Sequence, residues 1–198
     1  ANDYMYSDVN NIMIFPDNHD MSRIYTQLNE DFDKWKMAMT LFFTTRGTLQ
    51  FYYGTEILMS NPGTSDHGVI RSDFPGGWKG DAVNAFTGEG LTAQQKEAQE
   101  YIRVLAHLRK NSCALNSGEL LHFIPQEEVY VYFRTFEQEN IMVLANRNKE
   151  GKTIDLARFS QGLKGATSGE NLITEEKVDL NRGTIEVGPM ETLILWVK

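Results

Sequence analysis

The sequence predicts an α/β part followed by an all-β antiparallel sandwich, and three observations predict it. First, an apolar, β-prone run (residues 12–15) precedes a polar turn, a helix-periodic segment and a second β-rich run. That strand–helix–strand order builds parallel sheets. Second, from Cys113 onward the chain changes to short β-rich runs separated by turns of Gly, Asn and Glu, as in an antiparallel sheet or sandwich. Third, 198 residues with 41% hydrophobic and 23% charged side chains suffice for a buried core and for one large domain or two small ones.

Taken in order, residues 9–15 suit a short strand that ends at Pro16, which has no N–H to give a ladder. Residues 31–46 read as a helix. Trp35, Ala38, Met39, Phe42 and Phe43 recur at steps of three and four, Asp31 and Asp33 crowd its start, and Gly47 ends it. The run "TLQFYYG", residues 48–54, reads as the next strand. Residues 55–90 are punctuated by Gly and Pro with little periodicity, and a loop of that length inside a compact chain is expected to be functional. The next helix opens on Thr92 with Gln95 three residues on, a capping box. Its apolar face runs through Ala98, Tyr101, Ile102, Leu105 and Leu108 to Arg109 and Lys110. Beyond it come "LLHFIP", "VYVYFRTF", "IMVLANR", "TIDL", "KVDL", "GTIEV" and "TLILWVK" as strands. The expected domains are residues 1–112 and 113–198.

A net charge of −8 with no run of Lys or Arg argues against nucleic acid and anionic membranes as partners. Cys113 is the single cysteine, so neither an intrachain disulfide nor a thiolate metal site can form, and the redox compartment stays open. No apolar stretch approaches the ~20 residues of a membrane helix. No signal peptide is visible and the chain begins at Ala1, so a processed or truncated polypeptide is expected.

The chemistry concentrates in "IFPDNHDMSR", residues 14–23, where Asp17, Asn18, His19 and Asp20 follow a strand directly. Three explanations compete. Asn and Asp make polar turns and caps for purely local reasons. A metal site of the phosphoesterase kind would need further closely spaced ligands, whereas His67, His107 and His122 are isolated in the sequence. The third is a sugar site. The carboxyl end of a parallel strand is where α/β enzymes place their chemistry, and a carboxylate beside an imidazole can grip vicinal hydroxyls. Tyr52, Tyr53, Phe74 and Trp78 could stack on pyranose rings, although packing is the commoner use of aromatics.

"FPDNHDMSR" resembles the fourth signature region of the α-amylase family of glycoside hydrolases. "GTLQFYYGTE" is similar to the segment on that family's last barrel strand, and "VIRSDFPGGW" to the Arg-containing loop after it. The loop 61–88 looks closest to the neopullulanase and cyclomaltodextrinase branch. The resemblance implies that residues 1–112 are the last two βα units of an incomplete TIM-type barrel and residues 113–198 the following β-sandwich. It implies that Asp20 is the transition-state-stabilising carboxylate and that His19 donates to the same sugar. By the same carry-over Asn18 orients the turn, Arg23 positions the loop at the substrate-binding site, and Arg71 with Asp66 contacts substrate. No cofactor and no metal are implied; the partner is an α-glucan oligosaccharide. Leu49 in place of a usual Pro, Thr55 in place of an acidic residue, and a longer 71–78 segment depart from the family pattern.

Retaining glycoside hydrolysis needs two carboxyls about 5 Å apart, a nucleophile and an acid/base. In the family these sit on earlier barrel strands, and nothing in this sequence matches their signature regions. The chain alone is therefore expected to be inactive, and its uncovered strand and helix faces to favour self-association. The rival from another class is a non-catalytic carbohydrate-binding or assembly module.

Overall fold

The computed structural model describes residues 3–198, which divide into two compact units. One comprises residues 13–42 and 49–104; the other comprises the chain up to Ile12, residues 43–48 and residues 105–198. Two helices run from one unit into the other, so the division falls inside them rather than in a linker.

The first unit opens with β1 (Met13–Ile14), then a single turn α1 (Ile24–Gln27) and the long helix α2 (Phe32–Thr44). β2 (Thr48–Leu49) pairs with β1 in a two-stranded sheet. Thr48 N–H donates to Ile12 O and Gln50 N–H to Ile14 O, each at 2.9 Å, steps in the same direction that make the pair parallel. Both strands are shorter than the β-prone runs that contain them. Upstream, the Asp8 carboxylate accepts from Asn10 N–H at 2.8 Å and diverts Val9–Asn11 into a 3-10 turn. Downstream, Gly54 at φ +82° turns the chain into a second 3-10 turn, Thr55–Ile57.

The α2 helix starts on Asp31, whose carboxylate accepts from Lys34 N–H at 3.1 Å. Within this unit Trp35 is fully buried, stacked on Phe32 with ring centroids 5.6 Å apart and tilted against Tyr101 at 6.4 Å. The Gly/Pro-rich segment is not unstructured. It holds the short helix α3 (His67–Ile70), and side-chain carboxylates and amides gather its backbone N–H groups. Asp81 accepts from Gly76 and Trp78, and Asn84 from Phe86 and Thr87. A buried cluster of Ile57, Ala85 and Leu91, with Phe74 against it, anchors the segment. Helix α4 (Ala93–Asn111) then begins on the expected capping box: Gln95 N–H donates to Thr92 Oγ1, and Thr92 N–H to Gln95 Oε1 at 3.0 Å.

The second unit is all-β apart from helix ends and short turns. In it the carbonyls at the end of α2 are met by arginines. Arg109 donates to Phe43 O, Thr45 O and Gly47 O at 2.7–2.8 Å, and Arg134 to Thr44 O and Gly118 O. Two cations thus satisfy the open, negative end of a helix dipole. Burial and the Arg109 charge push the Arg134 pKa down to about 10.

A short helix α5 (Cys113–Ser117) leads to β3 (Glu119–His122), β4 (Val129–Phe136), β5 (Glu139–Asn146) and β6 (Lys152–Asp155). One further turn, α6 (Ser160–Leu163), precedes β7 (Ser168–Asn171), β8 (Lys177–Asp179), β9 (Thr184–Val187) and β10 (Glu191–Val197). The main sheet has the order β3-β4-β5-β10-β7-β8, antiparallel at every pairing, and β6 pairs with β9 in a separate ribbon. In register, Phe133 faces Met142 and Met142 faces Leu195. Residues two apart share a face, so Val131, Phe133, Met142, Leu144, Leu193 and Leu195 line one side. Ile185 and Val187 of β9 close the core from the other layer, with Leu156, Phe159 and Leu163 beside them. The strand over Ser168–Asn171 lies outside the runs that the sequence predicts, because its four residues carry no apolar side chain.

Candidate active site

All of the expected site residues lie in the α/β unit. β1 delivers the chain into a turn that Asp17 holds from within. Asp17 is fully buried and accepts from Ile24 N–H at 2.8 Å and from the Thr55 hydroxyl at 3.1 Å. Burial raises its pKa above the usual 3.8, opposed by the Ile24 and Thr55 hydrogen bonds and the Arg23 charge. The Asn18 amide oxygen accepts from Asp20 N–H at 2.8 Å, so Asn18 shapes the turn. His19 and Asp20 are left pointing out of it, with side chains 58% and 62% exposed.

Each oxygen of the Asp20 carboxylate faces a different donor. Oδ2 lies 3.1 Å from His19 Nε2, and Oδ1 accepts from Arg71 Nη2 at 2.9 Å. Arg71 also donates from Nε to His19 O at 3.0 Å. Asp20 and Arg71, 51 residues apart in sequence, therefore share one ion pair. A carboxylate has about four acceptor positions, so this arrangement leaves Asp20 room to accept further O–H groups.

Arg71 follows α3 directly, and Asp66 is the N-cap of that helix, accepting from Gly68 N–H at 2.7 Å. Asp66 thus sets the helix that carries Arg71; its carboxylate makes no ion pair among the described residues. Arg23 lies beneath the loop rather than at its surface. It is 1% exposed, donates from Nε to Ile70 O at 3.0 Å and from Nη1 to Tyr53 O, and lies over the rings of Tyr52 and Tyr53 at 4.1 and 4.8 Å. It positions the loop from beneath and presents nothing to solvent. Its position is dictated by the backbone: Arg23 N–H donates to the buried amide oxygen of Asn61 at 2.8 Å.

Of the four aromatics suited to sugar stacking, Tyr52 and Tyr53 meet edge to face, 4.7 Å apart, with the Arg23 guanidinium against both, and Phe74 packs on Phe86 at 5.0 Å. Trp78 alone among them is largely open, at 67%. Sequence reasoning assigns no site role to three participants: Asp17, Asn61 and His67. His67 Nδ1 lies 2.8 Å from Arg71 Nη2 and 4.0 Å from Asp20 Oδ1. Asp17 is in plain view inside the acidic cluster, but only its burial distinguishes it from Asp20. Glu56, beside it, also has its pKa raised by burial. Among the described residues no group of three or more His, Cys, Asp or Glu is placed to hold a metal ion, and no helix is long and apolar enough to cross a membrane.

Residues 2–112 match the family described as "Alpha amylase, catalytic domain". The chain belongs to the α-amylase family. Residues 120–196 of this α-amylase-family chain match the "Cyclo-malto-dextrinase C-terminal domain". It is similar to the cyclomaltodextrin glucanotransferase of Geobacillus stearothermophilus, 30% identical over 194 residues, covering 94% of this chain and 24% of that protein. It is also similar to the maltogenic α-amylase of Bacillus acidopullulyticus, 29% identical over 180 residues, covering 87% of this chain and 28% of that one. Among solved structures it resembles AmyP in complex with maltotriose, with a TM-score of 0.78 and 19% identity over 94% of this chain and 41% of that one. The chain thus spans about a quarter of the length of the curated relatives it matches. The barrel-type α/β segment followed by an antiparallel β domain is the architecture of this family.

Proposed function

We propose that this chain is the C-terminal part of a retaining enzyme that cleaves α-glucosidic bonds in starch-derived oligosaccharides, cyclodextrins or pullulan. In this reading Asp20 holds two hydroxyls of the sugar at the scissile bond and stabilises the oxocarbenium-like charge on its ring. The His19 imidazole, freed from the carboxylate as the hydroxyls take its place, donates to an adjacent oxygen of the same sugar. Asn18 fixes the turn, Arg71 orients Asp20, and Asp66 caps the helix that brings Arg71 there. The nucleophile and the acid/base come from another part of the enzyme, so the 198-residue chain alone orients a sugar without breaking its bond. No cofactor enters the reaction.

The observation that carries this reading is the exposed His19–Asp20 pair at the end of β1, with the Asp20 carboxylate held between an imidazole and a guanidinium. A turn residue with a purely local role does not need a guanidinium from 51 residues away on its carboxylate. The test is Asp20→Asn in the full-length gene product, assayed on maltooligosaccharides and cyclodextrins. Asn nearly matches Asp in shape, so the melting temperature should hold while kcat falls by about 10²–10³, more than KM changes. Near-normal kcat with a lowered melting temperature would remove Asp20 from the site.

A further inference from the structure

We propose that His67 is the positioning residue that orients the Arg71 guanidinium against Asp20. The proposal rests on Asp20 being the sugar-binding carboxylate. The Nη2 group of Arg71 carries two hydrogens, and the structure shows an acceptor for each: Asp20 Oδ1 at 2.9 Å and His67 Nδ1 at 2.8 Å. Nε–H goes to His19 O at 3.0 Å. A guanidinium only donates, so His67 Nδ1 is the acceptor, and the ring is neutral with its proton on Nε2.

The local sequence makes this pairing a product of the fold. His67 and Arg71 are four residues apart across α3, hence on one face of the turn. Arg71 N–H closes that turn on His67 O at 2.9 Å, and Asp66 caps its start. Arg71 is about half exposed, on a stem with several free torsions. Two of its hydrogen bonds reach across to residues 19 and 20; the third, to His67, spans only the single turn of α3 and does not depend on the turn at Asp20 for its partner. His67 therefore selects the Arg71 rotamer before Asp20 is engaged. Replacing the imidazole by a group without an acceptor frees one Nη2 hydrogen to solvent and lets the guanidinium rotate away from the carboxylate. Asp20 then loses the partner that aims it.

The experiment has a spectroscopic arm and a kinetic arm. In the ¹⁵N-labelled full-length gene product, long-range ¹H–¹⁵N correlation should show His67 Nδ1 as the unprotonated, hydrogen-bonded nitrogen. The Arg71 Nη resonances should be resolved, and His67→Phe, which keeps a ring but no acceptor, should speed guanidinium rotation about tenfold and merge them. His67→Asn places an amide oxygen where Nδ1 was and should restore them. In the full-length gene product His67→Phe should lower kcat about tenfold with little change in KM, and His67→Asn should recover most of it. Protonated Nδ1, or Arg71 signals indifferent to His67→Phe while the amide spectrum of residues 129–146 is unchanged, overturns the proposal. So does an equal loss of kcat in the Phe and Asn variants. The nitrogen spectra report the His67–Arg71 contact itself, so they stand apart from the Asp20→Asn assay, whose failure would instead overturn the sugar-site reading.

Discussion

Replacing Arg23 by Met tests whether the candidate site is held from beneath. Met has nearly the length of the Arg stem and no charge, so the cation and its burial penalty leave together. What remains is the loss to its partners. The Tyr53 carbonyl loses its Nη1 donor, and the Ile70 carbonyl loses Nε–H at 3.0 Å, keeping only the Tyr52 hydroxyl at 3.5 Å. A buried carbonyl left unsatisfied costs about 1–3 kcal/mol. The stacking of the guanidinium on Tyr52 and Tyr53 adds about 1 kcal/mol. Part of this is recovered by the Met side chain against the same rings, so we expect a loss of about 3 kcal/mol, roughly a hundredfold in the local opening equilibrium. The loss should be local, because Arg23 hydrogen-bonds to residues 53, 61 and 70. Hydrogen exchange followed by mass spectrometry reads this directly. Peptides over residues 49–72 should exchange about a hundredfold faster, while peptides over residues 129–146 serve as an unchanged internal control. Arg23→Lys should behave like Met, since an ammonium cannot reproduce the planar fork or its contact with both rings. Exchange in residues 49–72 within a few-fold of wild type would refute the reasoning, and would mean that burying the cation cancels everything its hydrogen bonds contribute.

Three further expectations concern packing and charge. Burial holds the Asp17 pKa above 3.8, so the folded state binds more proton than the unfolded one from pH 3.8 up to the folded value, and stability falls as pH rises through that window; the stability difference between wild type and Asp17→Asn, followed by urea unfolding between about pH 3.5 and 7, should therefore shift in favour of Asn as pH increases, and a difference independent of pH would contradict it. Gly162→Ala would set a Cβ 2.3 Å from the ring of the fully buried Phe133, which predicts a loss of about 1–3 kcal/mol and a lower melting temperature for the β domain; an unchanged transition would show that the ring can yield. On β1 and just beyond it, Met13 is 57% and Phe15 42% exposed, and β1 pairs with β2 in a two-stranded sheet; the isolated chain should self-associate in light scattering, and Met13→Lys with Phe15→Ser should shift it toward monomer, whereas a wild-type chain monomeric at high concentration would sink the idea.

Much of this architecture is legible in the sequence because it rests on neighbours along the chain. The Thr92–Gln95 capping box, the apolar period of α2 and the β-branched and aromatic run Val129–Phe136 involve residues close along the chain, so local sterics and hydrogen bonds favour them. The clustering of Asp17, Asn18, His19 and Asp20 at a strand end is visible in the same way, and so is the Asn18 turn that exposes Asp20. Other features have no local cause. Ser168–Asn171 becomes a strand because β10 and β8 supply ladder partners on both sides, not because its own side chains favour one. Asp17 and Asp20 are the same residue type three positions apart, yet one is sealed beneath Thr55 and the other open to solvent. Arg23 and Arg71 are alike in sequence; the fold buries the first against two tyrosines and leaves the second half exposed against Asp20. The sequence by itself determined the two long helices, most of the β-rich strands and which residue types gather beyond β1. Only the tertiary structure decided which of those charges meets water and which meets a partner tens of residues away, because desolvation and charge pairing depend on distances in space that the order of residues does not contain.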